Sequence, residues 1–233
     1  VLIRSLNCLE PRMKKLCLLI TSSLFLFSML AYAGDIKVPA TLPQLSISDT
    51  AMLGTLDENI GLSTGTQVNA FEINDHTGKA ISFETLQKSA PLLVIFYRGG
   101  WCPFCNKQIY QLSKAWPEFK KRGVTPVLIS ADKPDAAALA SNTYEIPFPV
   151  LSDPDLIAHD IFKVTMKVSN DLIPKYKEYG IILEDWSGKD HHKIAVSSAF
   201  IINSKGAVQW SHSSKDYITR PSVKQLLDVI DSQ

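Results

Sequence analysis

Apolar residues along this chain gather in runs whose spacing names the element each one forms. Leu92-Leu93-Val94-Ile95-Phe96-Tyr97 is unbroken and rich in strand formers, the pattern of a central strand covered on both faces. Val124 to Ser130 reads as a second buried strand and Phe148 to Leu151 as a third. Two further pairs of short runs flank turn residues. Phe71 to Asn74 and Lys79 to Ser82 enclose Asp75-His76-Thr77-Gly78, and Phe200-Ile201-Ile202 and Ala207 to Ser211 enclose Asn203-Ser204-Lys205-Gly206, so each pair predicts a hairpin. Between the first two strands the period changes. Cys105, Ile109, Leu112, Trp116 and Phe119 recur at helical spacing and share one face, which predicts a helix with those residues turned inward. Pro117 should kink or end that helix near its middle. Ala136 to Asn142 is a short helix, Asp153-Pro154 reads as N-cap and N1 of another, and Pro221 opens a last one through Ile230. Strands that alternate with helices and close in a hairpin predict an α/β layered fold. The segment from Lys163 to Ala195 is long, polar and poorly periodic, and reads as an insertion beside the site.

The N-terminal pattern differs from all of this. Met13-Lys14-Lys15 leads into the apolar run Leu16 to Leu30 and then Ala31-Tyr32-Ala33, which is the order of a cleaved signal peptide. The apolar run is short for a bilayer span, and Gly34-Asp35 opens a polar chain. The expected organisation is a leader and signal peptide over 1–33, an extension over 34–65 that packs on the domain, and one α/β domain over 66–233. Residues Val1 to Arg12 read as a leader ahead of a start at Met13, with a start at Val1 left open. The expected location is periplasmic or secreted, without stable membrane insertion once the signal is removed.

Composition narrows the function. With 45% hydrophobic and 20% charged residues the chain has ordinary globular usage. Its formal charge is +1; Arg4, Arg12, Lys14 and Lys15 against Glu10 leave with the leader as a net +3, so the remainder carries −2. That balance favours neither nucleic acid nor an anionic membrane as partner. Of four cysteines, Cys8 and Cys17 lie in the leader, which leaves Cys102-Pro103-Phe104-Cys105. As a staple this pair is poor, because closing a four-residue loop gives roughly 2 kcal/mol against about 3 for fifteen residues. A zinc site would need four ligands, and only His191 and His192 could join the two sulfurs. No metal or cofactor is expected. At the junction of a buried strand and a helix, a C-x-x-C places sulfur beside unpaired N–H groups, which favours thiolate. On that geometry Cys102 is the exposed, attacking sulfur and Cys105, pointing inward, the partner that resolves a mixed disulfide or a sulfenic acid.

The segment Phe96-Tyr97-Arg98-Gly99-Gly100-Trp101-Cys102-Pro103-Phe104-Cys105 resembles the active-site segment of the peroxiredoxin-like branch of the alkyl hydroperoxide reductase and thiol-specific antioxidant family. The resemblance continues through Ile146 to Asp153, Phe200 to Asn203 with Gly206, and Asp216-Tyr217 to Arg220-Pro221, covering roughly Val68 to Ile230. It implies a thioredoxin-like fold, a central mixed sheet flanked by helices, and thiol-dependent reduction of peroxides. Arg220 matches the family's active-site arginine, and Arg98 is a second candidate by proximity. The family places a proline seven residues and a threonine three residues before its peroxide-reactive cysteine. Those positions are Ile95 and Gly99 counted from Cys102, and Arg98 and Cys102 counted from Cys105. An ungapped register from Tyr97 favours Cys105 as the equivalent, whereas the exposure argument favours Cys102.

Three functions follow as expectations. The first is a peroxide reductase whose Cys102 and Cys105 reduce hydrogen peroxide or an organic hydroperoxide and are restored by an external dithiol such as a thioredoxin-like protein. The second is a thiol-disulfide oxidoreductase acting on proteins. The third is a redox-inert binding module with a structural disulfide.

Overall fold

The computed structural model describes Leu53, Gly54, Asp57 and residues 59–233. The expected signal peptide and most of the expected extension lie outside the described residues.

In chain order, β1 (Glu72–Asp75) and β2 (Ala80–Ser82) form a hairpin that leads into helix α1 (Phe83–Ser89). Strand β3 (Leu92–Phe96) follows, then α2 (Pro103–Lys114), α3 (Trp116–Lys121), β4 (Thr125–Ser130), α4 (Pro134–Thr143) and β5 (Val150–Ser152). Next come α5 (Ile157–Ile161), β6 (Thr165–Lys167), α6 (Ile173–Glu178), α7 (Leu183–Ser187) and β7 (Lys193–Ala195). The chain ends in β8 (Ser197–Ile202), β9 (Val208–Ser214) and α8 (Val223–Asp231).

Seven strands make one sheet in the order β2-β1-β5-β4-β3-β8-β9. β3, β4 and β5 run parallel, and the remaining pairings are antiparallel. The unbroken apolar run of β3 is explained by its place inside the sheet. Leu93, Ile95 and Tyr97 enter one hydrophobic cluster and Leu92, Val94 and Phe96 the other, so both faces need apolar side chains. Ala199 and Ile201 of β8 join the first cluster, Phe200 and Ile202 the second. The two cysteines belong to the first, covered by α2.

Topology also brings distant residues to one edge. Parallel pairing aligns Phe96 with Ile129 and Ile129 with Leu151, so the segments after β3, β4 and β5 emerge together. Antiparallel pairing then sets Ser198 opposite Phe96 and Ser214 opposite Ser197. The cysteine segment, Asp132, Ser197 and the segment from Ser214 to Arg220 therefore meet at the carboxyl ends of the parallel strands, where open α/β sheets commonly place their sites.

Pro117 acts as expected: α2 ends at Lys114, and a separate helix starts with Pro117 in its first turn. One expectation needs correction. Asp153 is not an N-cap; α5 starts after Leu156, and the Asp153 carboxylate instead accepts the Ile157 N–H at 2.8 Å and the His159 N–H at 2.9 Å. It also meets His159 Nδ1 at 2.6 Å, and that buried pair fixes its orientation. Within the insertion, β6 and β7 form a two-stranded ribbon, and Tyr176, Leu183 and Trp186 of α6 and α7 pack in or against the cysteine cluster.

Opposite the cysteine face, Phe162 is wholly buried with ring centroids 5.0 Å from Phe96, 5.1 Å from Phe200 and 5.8 Å from Phe83. Phe162→Ala should destabilise the fold by about 3–5 kcal/mol. Tyr179→Ala, at a side chain left 78% exposed, should change it by about 0.5 kcal/mol or less. Urea unfolding of the two variants beside the parent checks both values.

Candidate active site

β3 delivers the chain into the loop Arg98-Gly99-Gly100-Trp101, and α2 opens immediately after it with Cys102 as N-cap and Pro103 in its first turn. The paired glycines are needed because the loop is crowded. A Cβ on Gly99, whose φ is +149°, would lie 2.3 Å from Trp101 Nε1 and 2.9 Å from Asp132 Oδ1; one on Gly100 would lie 2.8 Å from the Trp186 ring. The loop is held at both its polar ends. Gly100 N–H donates to Asp132 Oδ2 at 2.8 Å, and the Gly100 carbonyl accepts from Asn106 Nδ2 at 2.8 Å.

Both cysteines are reduced and neither is exposed: Cys102 shows 1% of its surface and Cys105 none. The expectation of an exposed Cys102 is therefore corrected. Its sulfur packs in the same cluster as Trp101, Ile109, Leu183 and Trp186, and half-buried Tyr176 packs against that cluster. Leu183, Trp186 and Tyr176 all come from the insertion, which covers the start of α2; the local helical period carries no trace of them.

Arg220 is brought to Cys105, not to Cys102. Its guanidinium Nη2 lies 3.2 Å from Cys105 Sγ and donates to Ser197 Oγ at 2.9 Å, Nη1 donates to Gln108 Oε1 at 2.9 Å, and Nε donates to the Tyr217 carbonyl at 2.8 Å. Gln108 is held in turn by the Pro221 carbonyl at 3.3 Å. With 2% exposure, this arginine is far from a solvated residue ahead of α8, where Ser222 supplies the cap.

These contacts separate the two thiols. Burial pushes Cys105 up, but the hydrogen bond donated by Cys102, the charge of Arg220, the Arg98 backbone N–H and the Arg98 charge outweigh it and bring the thiol down to about 5. Cys102 moves the other way. Burial, its donation to Cys105 and the negative charge there hold it well above the ordinary thiol range, against weaker pulls from Arg220 and Arg98. The arrangement is one thiolate, at Cys105, with a protonated neighbour hydrogen-bonded to it. Beneath them, burial pushes Asp132 up to about 7, opposed by the Gly100 N–H and Ser130 and reinforced by the Cys105 charge.

Arg98, the second candidate, is also brought in. It lies over the rings of Tyr217 at 4.3 Å, Trp101 at 5.0 Å and Tyr176 at 5.9 Å, and its Nη2 donates to the Tyr176 hydroxyl. The other polar candidates go elsewhere. His191 Nε2 is 3.0 Å from the Pro154 carbonyl and His192 Nε2 is 2.8 Å from Glu184 Oε1. Among the described residues no group of His, Cys, Asp or Glu is placed to hold a metal ion.

Gln108, Ser197, Asn106, Asp132 and Tyr176 were not legible as site residues. Gln108 alone left a signal: it stands three residues after Cys105, on the helix face where the other positions are apolar. The thiolate should be visible as absorbance near 240 nm. In the reduced protein that signal should persist from pH 8 down to 6 and disappear as pH falls through about 5, since protonation removes it. Arg220→Gln should move the midpoint upward by about one unit or more, and spectrophotometric titration of both proteins measures it.

The chain matches the family model described as the AhpC/TSA family over residues 64–211. It is 34% identical over 84 residues to "Peroxiredoxin Q, chloroplastic" of Populus jackii, covering 36% of this chain and 39% of that relative. It is 27% identical over 109 residues to "Thiol-disulfide oxidoreductase ResA" of Bacillus anthracis, covering 46% of this chain and 62% of that one. The chain thus spans less than two thirds of the length of either curated relative. Its fold is shared with the peroxidoxin BcpB of Mycobacterium tuberculosis, at TM-score 0.59 and 20% identity over 74% of this chain and 97% of that one. A thioredoxin-like sheet, a strand-to-helix junction that carries the C-x-x-C and a family match over most of the described domain agree: this chain belongs to the AhpC/TSA family.

Proposed function

We propose that this protein is a thiol peroxidase in which Cys105 is the peroxide-reactive thiolate and Cys102 the resolving thiol. The observation that carries the assignment is the Arg220 contact at 3.2 Å to Cys105 Sγ, and it reverses the roles expected from exposure.

In this reading the Cys105 thiolate attacks one oxygen of a hydroperoxide. The O–O bond breaks, that oxygen stays on sulfur, and the remaining alkoxide or hydroxide leaves as the alcohol or water after taking up a proton; sulfur is oxidised and the peroxide reduced. Arg220, fixed by three acceptors besides sulfur, places positive charge where the oxygen develops negative charge. Oxidation then changes Cys102. The charge and the hydrogen-bond acceptor at Cys105 that kept Cys102 protonated are gone once the sulfenic acid forms, so Cys102 can lose its proton and attack. An S–S bond forms, the sulfenic oxygen leaves as water, and an external dithiol of the thioredoxin-like class restores both thiols. Export to an oxidising compartment is part of the proposal and is supported by the leader pattern alone.

A second reading, dithiol exchange with protein partners, is favoured by the likeness to the thiol-disulfide oxidoreductase. A buried, protonated Cys102 as the first nucleophile speaks against it. Peroxide consumption and insulin reduction measured on one sample separate the two. The proposal expects fast peroxide consumption by the parent, none above free-thiol background in Cys105→Ser, and a single stalled turnover in Cys102→Ser when only a protein dithiol is supplied. Sustained turnover in Cys105→Ser rejects the assignment, and insulin reduction without peroxide consumption favours the second reading.

A further inference from the structure

Two arginines are buried beside the cysteines, both contribute charge to the Cys105 thiolate, and only Arg220 touches it with its side chain. Arg220 spends four of its five N–H donors on Cys105 and three oxygen acceptors. Arg98 shows 9% of its surface and forms no ion pair among the described residues. Among the described residues its one side-chain hydrogen bond goes to the neutral hydroxyl of Tyr176, and its Nε is buried without a partner. Asp132, the buried carboxylate under this loop, is spent on the Gly100 N–H and pairs with neither arginine. A guanidinium desolvated in this way is unfavourable unless something compensates it. Contact with the Trp101, Tyr176 and Tyr217 rings recovers part of that cost through cation–π attraction.

The stacking does more than shield charge. It holds the guanidinium against three rings while Nε keeps its donor unused, and arginine can take a carboxylate through two parallel bonds from such an edge. Aromatic and apolar side chains lie beside it. Phe104 packs on Tyr217 at 5.3 Å between centroids, and Tyr217 and Ile218 are 37% and 54% exposed. The hydroxyl that meets Arg98 comes from α6, a helix of six residues with none buried. An element held by so little buried surface can open at low free energy, which frees Arg98 and removes Tyr176, one of the side chains packed over the Cys102 cluster.

We propose that Arg98 is a carboxylate-binding subsite next to the thiolate, that the Tyr176 hydroxyl holds its place in the closed state, and that the substrates are apolar organic hydroperoxides bearing a carboxylate. The substrate class rests on the peroxidase reading, whereas the subsite itself does not.

Binding of unreactive probes tests the subsite independently of turnover. Tryptophan fluorescence titrations would compare 4-isopropylbenzoate with the neutral 4-isopropylbenzyl alcohol on the reduced protein. The carboxylate should bind about tenfold tighter or more, the scale of a charge-assisted hydrogen-bond pair. Arg98→Gln should bind the two equally. Tyr176→Phe, a small change at the rim, should bind the carboxylate more tightly because its competitor is gone. Equal binding of the two probes by the parent, or a preference that survives in Arg98→Gln, overturns the subsite; unchanged or weaker carboxylate binding in Tyr176→Phe overturns the place-holder role. Cumene hydroperoxide and its para-carboxylate then test the substrate. A kcat/KM ratio favouring the carboxylate by about tenfold supports the proposal, and the ratio on one enzyme cancels any change in thiolate fraction. A ratio near one overturns the substrate class while the peroxidase reading stands; no turnover of either hydroperoxide, with the probe preference intact, overturns the peroxidase reading and leaves the subsite standing.

Discussion

The guanidinium of Arg220 and the sulfur of Cys105, 3.2 Å apart inside the fold, are each unfavourable to bury alone. Together they are tolerable, and much of the surrounding structure serves to keep them together. Gln108 reaches Arg220 from the same helix as Cys105, Ser197 from the start of β8 and the Tyr217 carbonyl from the segment before α8. Three parts of the chain that are remote in sequence must be in register before the contact exists. That requirement ties the chemistry of one sulfur to the pairing of β3 with β8 and of β8 with β9.

One charge then sets the condition of both thiols. A thiolate at Cys105 takes a hydrogen bond from Cys102 and raises the energy of a second negative charge beside it, so the pair holds one proton between two sulfurs. The loop before them is shaped for the same end. Gly99 and Gly100 let backbone and Asp132 approach where a Cβ would collide, and the Arg98 backbone N–H is left aimed at the Cys105 sulfur. Asp132 fastens the loop by a hydrogen bond while carrying only about half a negative charge at neutral pH, because burial has moved it up to about 7.

Much of the scaffold was legible because it depends on local period. The unbroken run at Leu92 to Phe96 can only be satisfied between two cores, and Cys105, Ile109 and Leu112 at helical spacing do turn inward. Pro117 divides the helix as its missing N–H requires. Exposure of Cys102 was not legible. A helix N-terminus is ordinarily open to solvent, and what closes this one is Tyr176, Leu183 and Trp186, about 75 to 85 residues further on in a segment without a clear period. The same distance hid the company of Arg98. For the sulfurs themselves the two sequence arguments disagreed: helix position favoured Cys102 and register from Tyr97 favoured Cys105. The Arg220 contact sides with register, since it depends on which sulfur faces β8 and not on which lies nearer the end of the helix.

The account stands on Cys105 being the sulfur that meets the oxidant first. Treating the reduced, full chain with less than one equivalent of hydrogen peroxide in the presence of dimedone, then locating the adduct by peptide mass, measures this directly. An adduct on Cys105, diminished when Arg220 is replaced by Gln, is the predicted result. An adduct that forms on Cys102 while Cys105 remains a free thiol would contradict it.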